Sequence, residues 1–170
     1  LKMPAPIAYG LSRSSVYLVL ALLALAYPVR AQGVNFTLLD INDRSIQLAD
    51  FRGQWVIVNF WASWCTPCLL ELPELQAFYE VNSTSTAVIS VNLDDITASE
   101  IRPFVTQLGV TFPIALSGGQ SVPDFEVKGL PTTFFISPTG QLVDAHLGAV
   151  NAALLTKRLI TLKRTSESAR

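Results

Sequence analysis

Cys65 and Cys68 are the only thiols in this chain, and two residues separate them in the run Trp61-Ala62-Ser63-Trp64-Cys65-Thr66-Pro67-Cys68. A Cys-x-x-Cys pair can trade a disulfide with another molecule, ligate a metal, or staple a fold. The staple is the weakest reading. A disulfide gains more from closing a long loop of the unfolded chain, and a two-residue spacer closes almost none. A four-ligand zinc site would need a second cysteine pair; the single histidine, His146, sits in a hairpin where surface or packing roles are the ordinary ones. A peroxidase-type Thr-x-x-Cys setting is missing too, because Ala62 stands three before Cys65 and Cys65 three before Cys68. A redox-active dithiol remains. Its alternative is a Cu(I)-binding and delivery module using the same two soft sulfurs. Met3 is the only methionine, and no Met-rich or His-rich tract supports that alternative.

The elements around the pair favour redox chemistry. Trp55 to Phe60 is apolar, β-branched and aromatic, the composition of a strand buried on both faces. From Cys65 to Tyr79 the residues Leu69, Leu72, Leu75, Gln76 and Tyr79 recur at helical spacing, with Pro73 expected to kink the helix. Cys65 therefore opens a helix directly after a central strand. Ahead of them, Phe36–Leu39 and Ser45–Leu48 flank the turn residues 40–44 as a hairpin. Beyond them come a strand over 87–93 and a helix over 97–108, with Thr97 and Glu100 spaced as a capping box and Gly109 as its stop. An extended piece over 111–116, a helical turn over 121–126, a strand over 132–136, a tight turn at 137–140, a returning strand over 141–147 and a last helix over 150–164 complete the reading. This order predicts an α/β fold: a central mixed sheet flanked by helices on both faces, parallel at its first strands and antiparallel at its last hairpin.

The 170 residues suffice for one domain with a full core. Val16 to Tyr27 is an unbroken apolar run, preceded by Lys2 and Arg13 and followed by Val29-Arg30-Ala31. A positive start, a short apolar middle and a small-residue exit describe a signal peptide over residues 1–31, the alternative being an N-terminal membrane anchor. Without that segment the net charge is about -4. No basic patch suits nucleic acid; Lys157, Arg158, Lys163 and Arg164 read as the solvated face of the last helix. Residues 34–164 form the domain, and 165–170 read as a frayed tail.

Two separated motifs give the chain a family likeness. Val58-Asn59-Phe60-Trp61-Ala62-Ser63-Trp64-Cys65-Thr66-Pro67-Cys68 resembles the active-site stretch of the thioredoxin superfamily, and Gly129-Leu130-Pro131-Thr132-Thr133 resembles its cis-proline loop. The N-terminal hairpin, Asp50-Phe51-Arg52-Gly53 and Cys68-Leu69-Leu70-Glu71-Leu72-Pro73 are similar to the exported TlpA/ResA-type branch. The resemblance covers about residues 34–162.

That resemblance implies a thioredoxin fold with the hairpin as an N-terminal addition, and thiol–disulfide exchange with client proteins outside the cytoplasm. Cys65, at a helix N-terminus, would be the nucleophile, and Cys68, one turn further in, the resolving thiol. Thr66 and Pro67 would tune the pair, with Pro67 also fixing the first helical turn. Glu71, three residues after Cys68, reads on its own as an exposed helix glutamate; the resemblance implies a proton-handling role, with its pKa raised if shielded from water. Asn59 departs from thioredoxin, which has a buried aspartate there, so a titrating role must pass to another group, and Glu71 is the substitute. Pro131 would be cis, leaving the Leu130 backbone to pair with an extended client. Trp64 would border the client surface, with Trp61 beneath the dithiol. No cofactor is expected. The implied partners are disulfide-bearing or dithiol clients, in apocytochrome c maturation or in thiol upkeep of copper-site proteins, and a membrane-embedded dithiol electron donor. A monomer is expected. The direction of electron flow is open at this level.

Overall fold

The computed structural model of the protein describes residues 33–168. The signal or anchor expected over 1–31 lies outside the described residues. Among these residues no helix is long and apolar enough to cross a membrane.

A seven-stranded sheet carries the fold: β1 (Thr37–Asp40), β2 (Ser45–Gln47), β3 (Trp55–Trp61), β4 (Thr86–Asn92), β5 (Ile114–Leu116), β6 (Thr132–Ile136) and β7 (Leu142–Leu147), in the order β2-β1-β5-β4-β3-β6-β7. The α-helices are α1 (Thr66–Asn82), α2 (Ala98–Gln107) and α3 (Ala152–Ser168); a 3-10 turn spans Leu48–Phe51. β3 and β4, each buried along its whole length, lie at the centre and pair in parallel from Trp55 opposite Thr86 to Trp61 opposite Asn92. β6 runs antiparallel to β3 and β7 antiparallel to β6, as the final hairpin implies. The N-terminal hairpin is present and joins the sheet through β1 and β5. Asp40 closes its turn, accepting from the N–H groups of Asn42 and Arg44 and from the Arg44 guanidinium.

Helical structure covers both faces, but unequally. Leu72, Leu75 and Phe78 of α1, Ile101 and Val105 of α2, and Leu155 and Leu159 of α3 all enter one core with Ile57, Trp61, Val88 and Phe135. The opposite core takes Phe36, Ile46, the 3-10 residue Leu48, Val122 and Phe125 against Val56, Val58, Phe60, Ile89 and Phe134. The topology explains this. β3, β4 and β5 step in one direction across the sheet, and successive right-handed crossovers in one direction put both connecting helices on one face.

Several boundaries move for identifiable reasons. No helical turn forms over 121–126: Pro123 disfavours helical geometry at Val122, and Asp124 adopts φ 68°. α3 begins at Ala152, where Asn151 caps it through its Oδ1 on the Leu154 N–H; the Val150 N–H ahead of the cap bonds a glutamate elsewhere. It then continues to Ser168, so four residues of the expected frayed tail are helical. Hydroxyls of Thr161, Thr165 and Ser168 bond back to carbonyls four residues earlier. β5 is shorter than the extended piece expected over 111–116: Gln76 Oε1 takes the Thr111 N–H, and Pro113 has no N–H to give a ladder. The capping box at Thr97 and Glu100 is formed. Helix α1 runs through Pro73, whose ring is exposed.

Candidate active site

Sequence and topology bring the dithiol to the C-terminal end of the central strands. After Trp61 the chain makes a turn closed by the Cys65 N–H on the Ala62 carbonyl at 3.1 Å, and Cys65 becomes the N-cap of α1. Its carbonyl accepts the Leu69 N–H at 3.2 Å. Thr66 and Pro67 occupy the first two helical positions and are exposed; proline is tolerated there because the helix has no bond to offer its nitrogen. Cys65 and Cys68 are joined as a disulfide, S–S 2.06 Å and Cα–Cα 5.3 Å. Cys65 is 6% exposed and Cys68 0%. Both belong to the same buried cluster, with Cys65 keeping the small remaining exposure.

The tryptophans differ in exposure. Trp61 is buried with the cysteines, its ring stacked on Phe104 at 6.4 Å, and its indole N–H has no hydrogen-bond partner among the described residues. Trp64 is 75% exposed beside Cys65.

Glu71 is 1% exposed, so it is not the ordinary surface glutamate of a helix. Asn59 Nδ2 donates to its Oε1 at 2.7 Å, and the Val150 N–H donates to its Oε2 at 2.9 Å. Burial raises its pKa to about 7 from 4.5, against the opposing pull of the Val150 and Asn59 donors. Asn59 is fully engaged: its Nδ2 also reaches Thr133 Oγ1 at 3.2 Å, and its Oδ1 accepts from Ser90 Oγ at 2.7 Å. The residue that cannot titrate at the aspartate position of thioredoxins is therefore hydrogen-bonded to the one that can.

The second motif reaches the same place from β6. Thr132 pairs with Phe60, which sets Pro131 beside the start of the active-site stretch. The Leu130–Pro131 bond is cis. Gly148 N–H donates to the Pro131 carbonyl at 2.9 Å and Thr132 Oγ1 to the Gly129 carbonyl at 2.6 Å, fastening the loop at both ends. Half-buried Leu130 packs against both cores, and its N–H and C=O have no hydrogen-bond partner among the described residues. His146 lies opposite Thr133 in β7, half-buried.

Sequence reading missed the groups that fix these side chains. Ser90, Thr133 and the Val150 N–H belong to the Glu71 cluster, and Asn92 and Asp94 bracket the turn before Cys65. Ser90 and Asn92 were detectable in principle, as polar residues inside an otherwise apolar strand. The Val150 N–H carried no sequence signal.

A thioredoxin-type sheet with a Cys-x-x-Cys disulfide at a helix N-terminus and a cis-proline loop beside it defines a thiol–disulfide oxidoreductase. Comparison with known proteins agrees. The chain belongs to the AhpC/TSA family, whose model matches residues 29–145, and within it to the ResA-like thiol–disulfide oxidoreductases. It is 32% identical over 134 residues to the thiol-disulfide oxidoreductase ResA of Halalkalibacterium halodurans, covering 78% of this chain and 76% of that protein. It is 34% identical over 123 residues to ResA of Bacillus subtilis, covering 71% and 68%. Among solved structures, StoA from Bacillus subtilis matches with TM-score 0.64 and 30% identity over 75% of this chain and 98% of that one. A putative thiol:disulfide interchange protein DsbE from Chlorobium tepidum matches with TM-score 0.69 and 28% identity over 76% and 94%.

Proposed function

We infer that the protein is an exported reductant of disulfides in client proteins, working through the Cys65–Cys68 dithiol. The observation that carries this reading is the Cys65–Cys68 disulfide at the start of α1, with Cys65 as the helix N-cap. The helix N-terminus favours a thiolate at Cys65, which attacks a client disulfide and forms a mixed disulfide. Cys68 then attacks Cys65, releasing the reduced client. Glu71, whose pKa of about 7 lies near working pH, takes or returns the Cys68 proton. The unpaired Leu130 backbone beside cis-Pro131 receives an extended client segment as an added strand, with Trp64 and Thr66 at its border. Pro67 keeps the first turn of α1 in helical geometry beneath the pair.

Export is supported by the charge and apolar pattern of residues 1–31. Reduction in an oxidising compartment needs incoming electrons, so a membrane-embedded dithiol donor is part of the proposal. The TlpA/ResA likeness favours apocytochrome c among the clients, and the protein acts as a monomer.

Replacing the resolving sulfur provides the test. Cys68→Ser should accumulate mixed disulfides with clients, and Cys65→Ser should not. Equal trapping by both variants would reverse or dissolve the assignment. If the protein is instead a Cu(I) carrier, the reduced form will bind copper tightly and fail to reduce insulin-type disulfides.

A further inference from the structure

The parallel ladder between β3 and β4 ends with Trp61 opposite Asn92. One more backbone bond crosses beyond it, from the Leu93 N–H to the Trp61 carbonyl at 2.9 Å. The next donor on the β3 side is the Ser63 N–H, and no strand remains to receive it. The Asp94 carboxylate takes it instead, with Ser63 N to Asp94 Oδ2 at 2.7 Å. Ser63 is the second residue of the Ala62–Cys65 turn, so this bond holds the segment that delivers Cys65 to the start of α1.

Asp94 is itself held in place. Asn92 Nδ2 donates to the same Oδ2 at 3.0 Å, and the Asp94 N–H donates to Asn92 Oδ1 at 3.0 Å. Asn92 is buried. The Asp94 carbonyl accepts from the Gly119 N–H at 3.0 Å, which ties the knot to the connection leading toward Pro131.

We propose that Asp94 is a positioning residue for disulfide exchange: through the Ser63 N–H it keeps reduced Cys65 within reach of Cys68. This rests on the redox reading of the pair given above. In the oxidised protein the S–S bond fixes Cys65 against Cys68. Once that bond is gone, only the turn and the helix cap hold the two thiols together. Closure is intramolecular, and its rate and equilibrium follow the effective concentration of one sulfur at the other. In the closing step the Cys68 thiolate attacks the Cys65 sulfur of the mixed disulfide. The Cys65–Cys68 bond forms, the Cys65–client bond breaks, and the client sulfur leaves as a thiolate that takes up a proton. Over both steps the dithiol gives two electrons and two protons to the client disulfide. A loosened turn lowers the closure constant and makes the pair less reducing.

Two full-length variants separate placement from charge. Asp94→Glu keeps the charge and moves the acceptor by a methylene; Asp94→Asn removes the charge and keeps an oxygen where Oδ2 sits. The reduction potential of Cys65–Cys68 is read in glutathione or dithiothreitol buffers, and protection of the Ser63 amide by hydrogen exchange. Asp94→Glu should lower the closure constant about tenfold, a rise of about 30 mV for a two-electron couple, and expose the Ser63 amide. Asp94→Asn should stay within about threefold of wild type, with the amide protected. Coincident potentials in all three proteins, or a shift in Asp94→Asn as large as in Asp94→Glu, overturns the proposal. A wild-type pair that stays inert toward both glutathione and dithiothreitol would refute the redox reading itself; a wild type that equilibrates normally alongside indifferent variants would refute only the role of Asp94.

Discussion

The two faces of β3 are equally buried and differently built. Val56, Val58 and Phe60 enter a core without buried polar side chains from the strand, where Phe60, Phe125 and Phe134 meet with ring centroids 5.2–5.6 Å apart. Ile57, Asn59 and Trp61 face the other way, into the core that holds the disulfide. There Asn59 gathers Glu71, Ser90 and Thr133 in a buried polar cluster. The first face gains from desolvation and dispersion alone. The second gives up some of that gain to place a carboxyl group one helical turn from Cys68. Adjacent residues on one strand thus divide stability from chemistry.

The largest effect should come from the apolar face. Phe134→Ala removes a ring that touches Phe60 and Phe125 and should cost about 3–5 kcal/mol, measured by denaturant unfolding of the oxidised protein. The potential of the folded variant should match wild type. A potential that moved with this truncation would show that the sheet does not insulate the two faces.

Next in size is the pH dependence written into the polar face. In the unfolded chain Glu71 ionises near 4.5, and in the folded protein near 7. Between those values the native state holds a proton that the unfolded state has released. The contribution of Glu71 to stability is therefore fully present below about pH 4.5 and lost as pH rises through about 7, a change of about 3 kcal/mol. Other carboxylates titrate over part of this range, so the informative quantity is the difference between wild type and Glu71→Gln at each pH. That difference should slope between pH 5 and 7 and flatten above. A flat difference throughout would mean that Glu71 ionises as an ordinary carboxylate. The same variant should also alter the pH profile of disulfide exchange.

This division was only half visible in the sequence. The apolar strands, the hairpins, the helix after Cys65 and the capping box at Thr97 announced themselves, because periodicity and capping are local. The dithiol was evident from spacing. Glu71 was ambiguous, since Cys-Leu-Leu-Glu-Leu-Pro fits an exposed or a buried glutamate equally well. Its burial depends on the Val150 N–H, 79 residues away, and on Asn59 across the sheet. The helical turn expected over 121–126 failed at Pro123 and Asp124, where backbone restrictions prevailed over composition. Asp94 lay in an unremarkable Asp-Asp pair, and only the end of the β3–β4 ladder gives it a task.

A smaller loss should follow from thinning the polar cluster at its edge. Ser90→Ala removes the donor to Asn59 Oδ1 and leaves that oxygen buried without its 2.7 Å partner. The cost should be about 1–2 kcal/mol by denaturant unfolding. The Asn59 amide, less well anchored, should also release Glu71 in part, raising its pKa further. An unchanged Glu71 titration in a destabilised Ser90→Ala protein would show that Asn59 is held by Thr133 and packing alone.

The smallest expected change in stability lies outside both faces. Trp64 is 75% exposed, so Trp64→Ala uncovers little apolar surface and should shift unfolding by no more than about 0.5 kcal/mol. Its neighbourhood gives it another use. It directly precedes Cys65, at the entry to α1. Exposed aromatic surface beside a reacting sulfur is ready to be covered by a client. Exchange with a protein disulfide should therefore slow in Trp64→Ala, while exchange with glutathione, too small to cover the ring, should not. Equal slowing toward both would place the indole in the chemistry of Cys65 rather than in docking. A stability loss as large as that of Ser90→Ala would place it in the core, against its exposure.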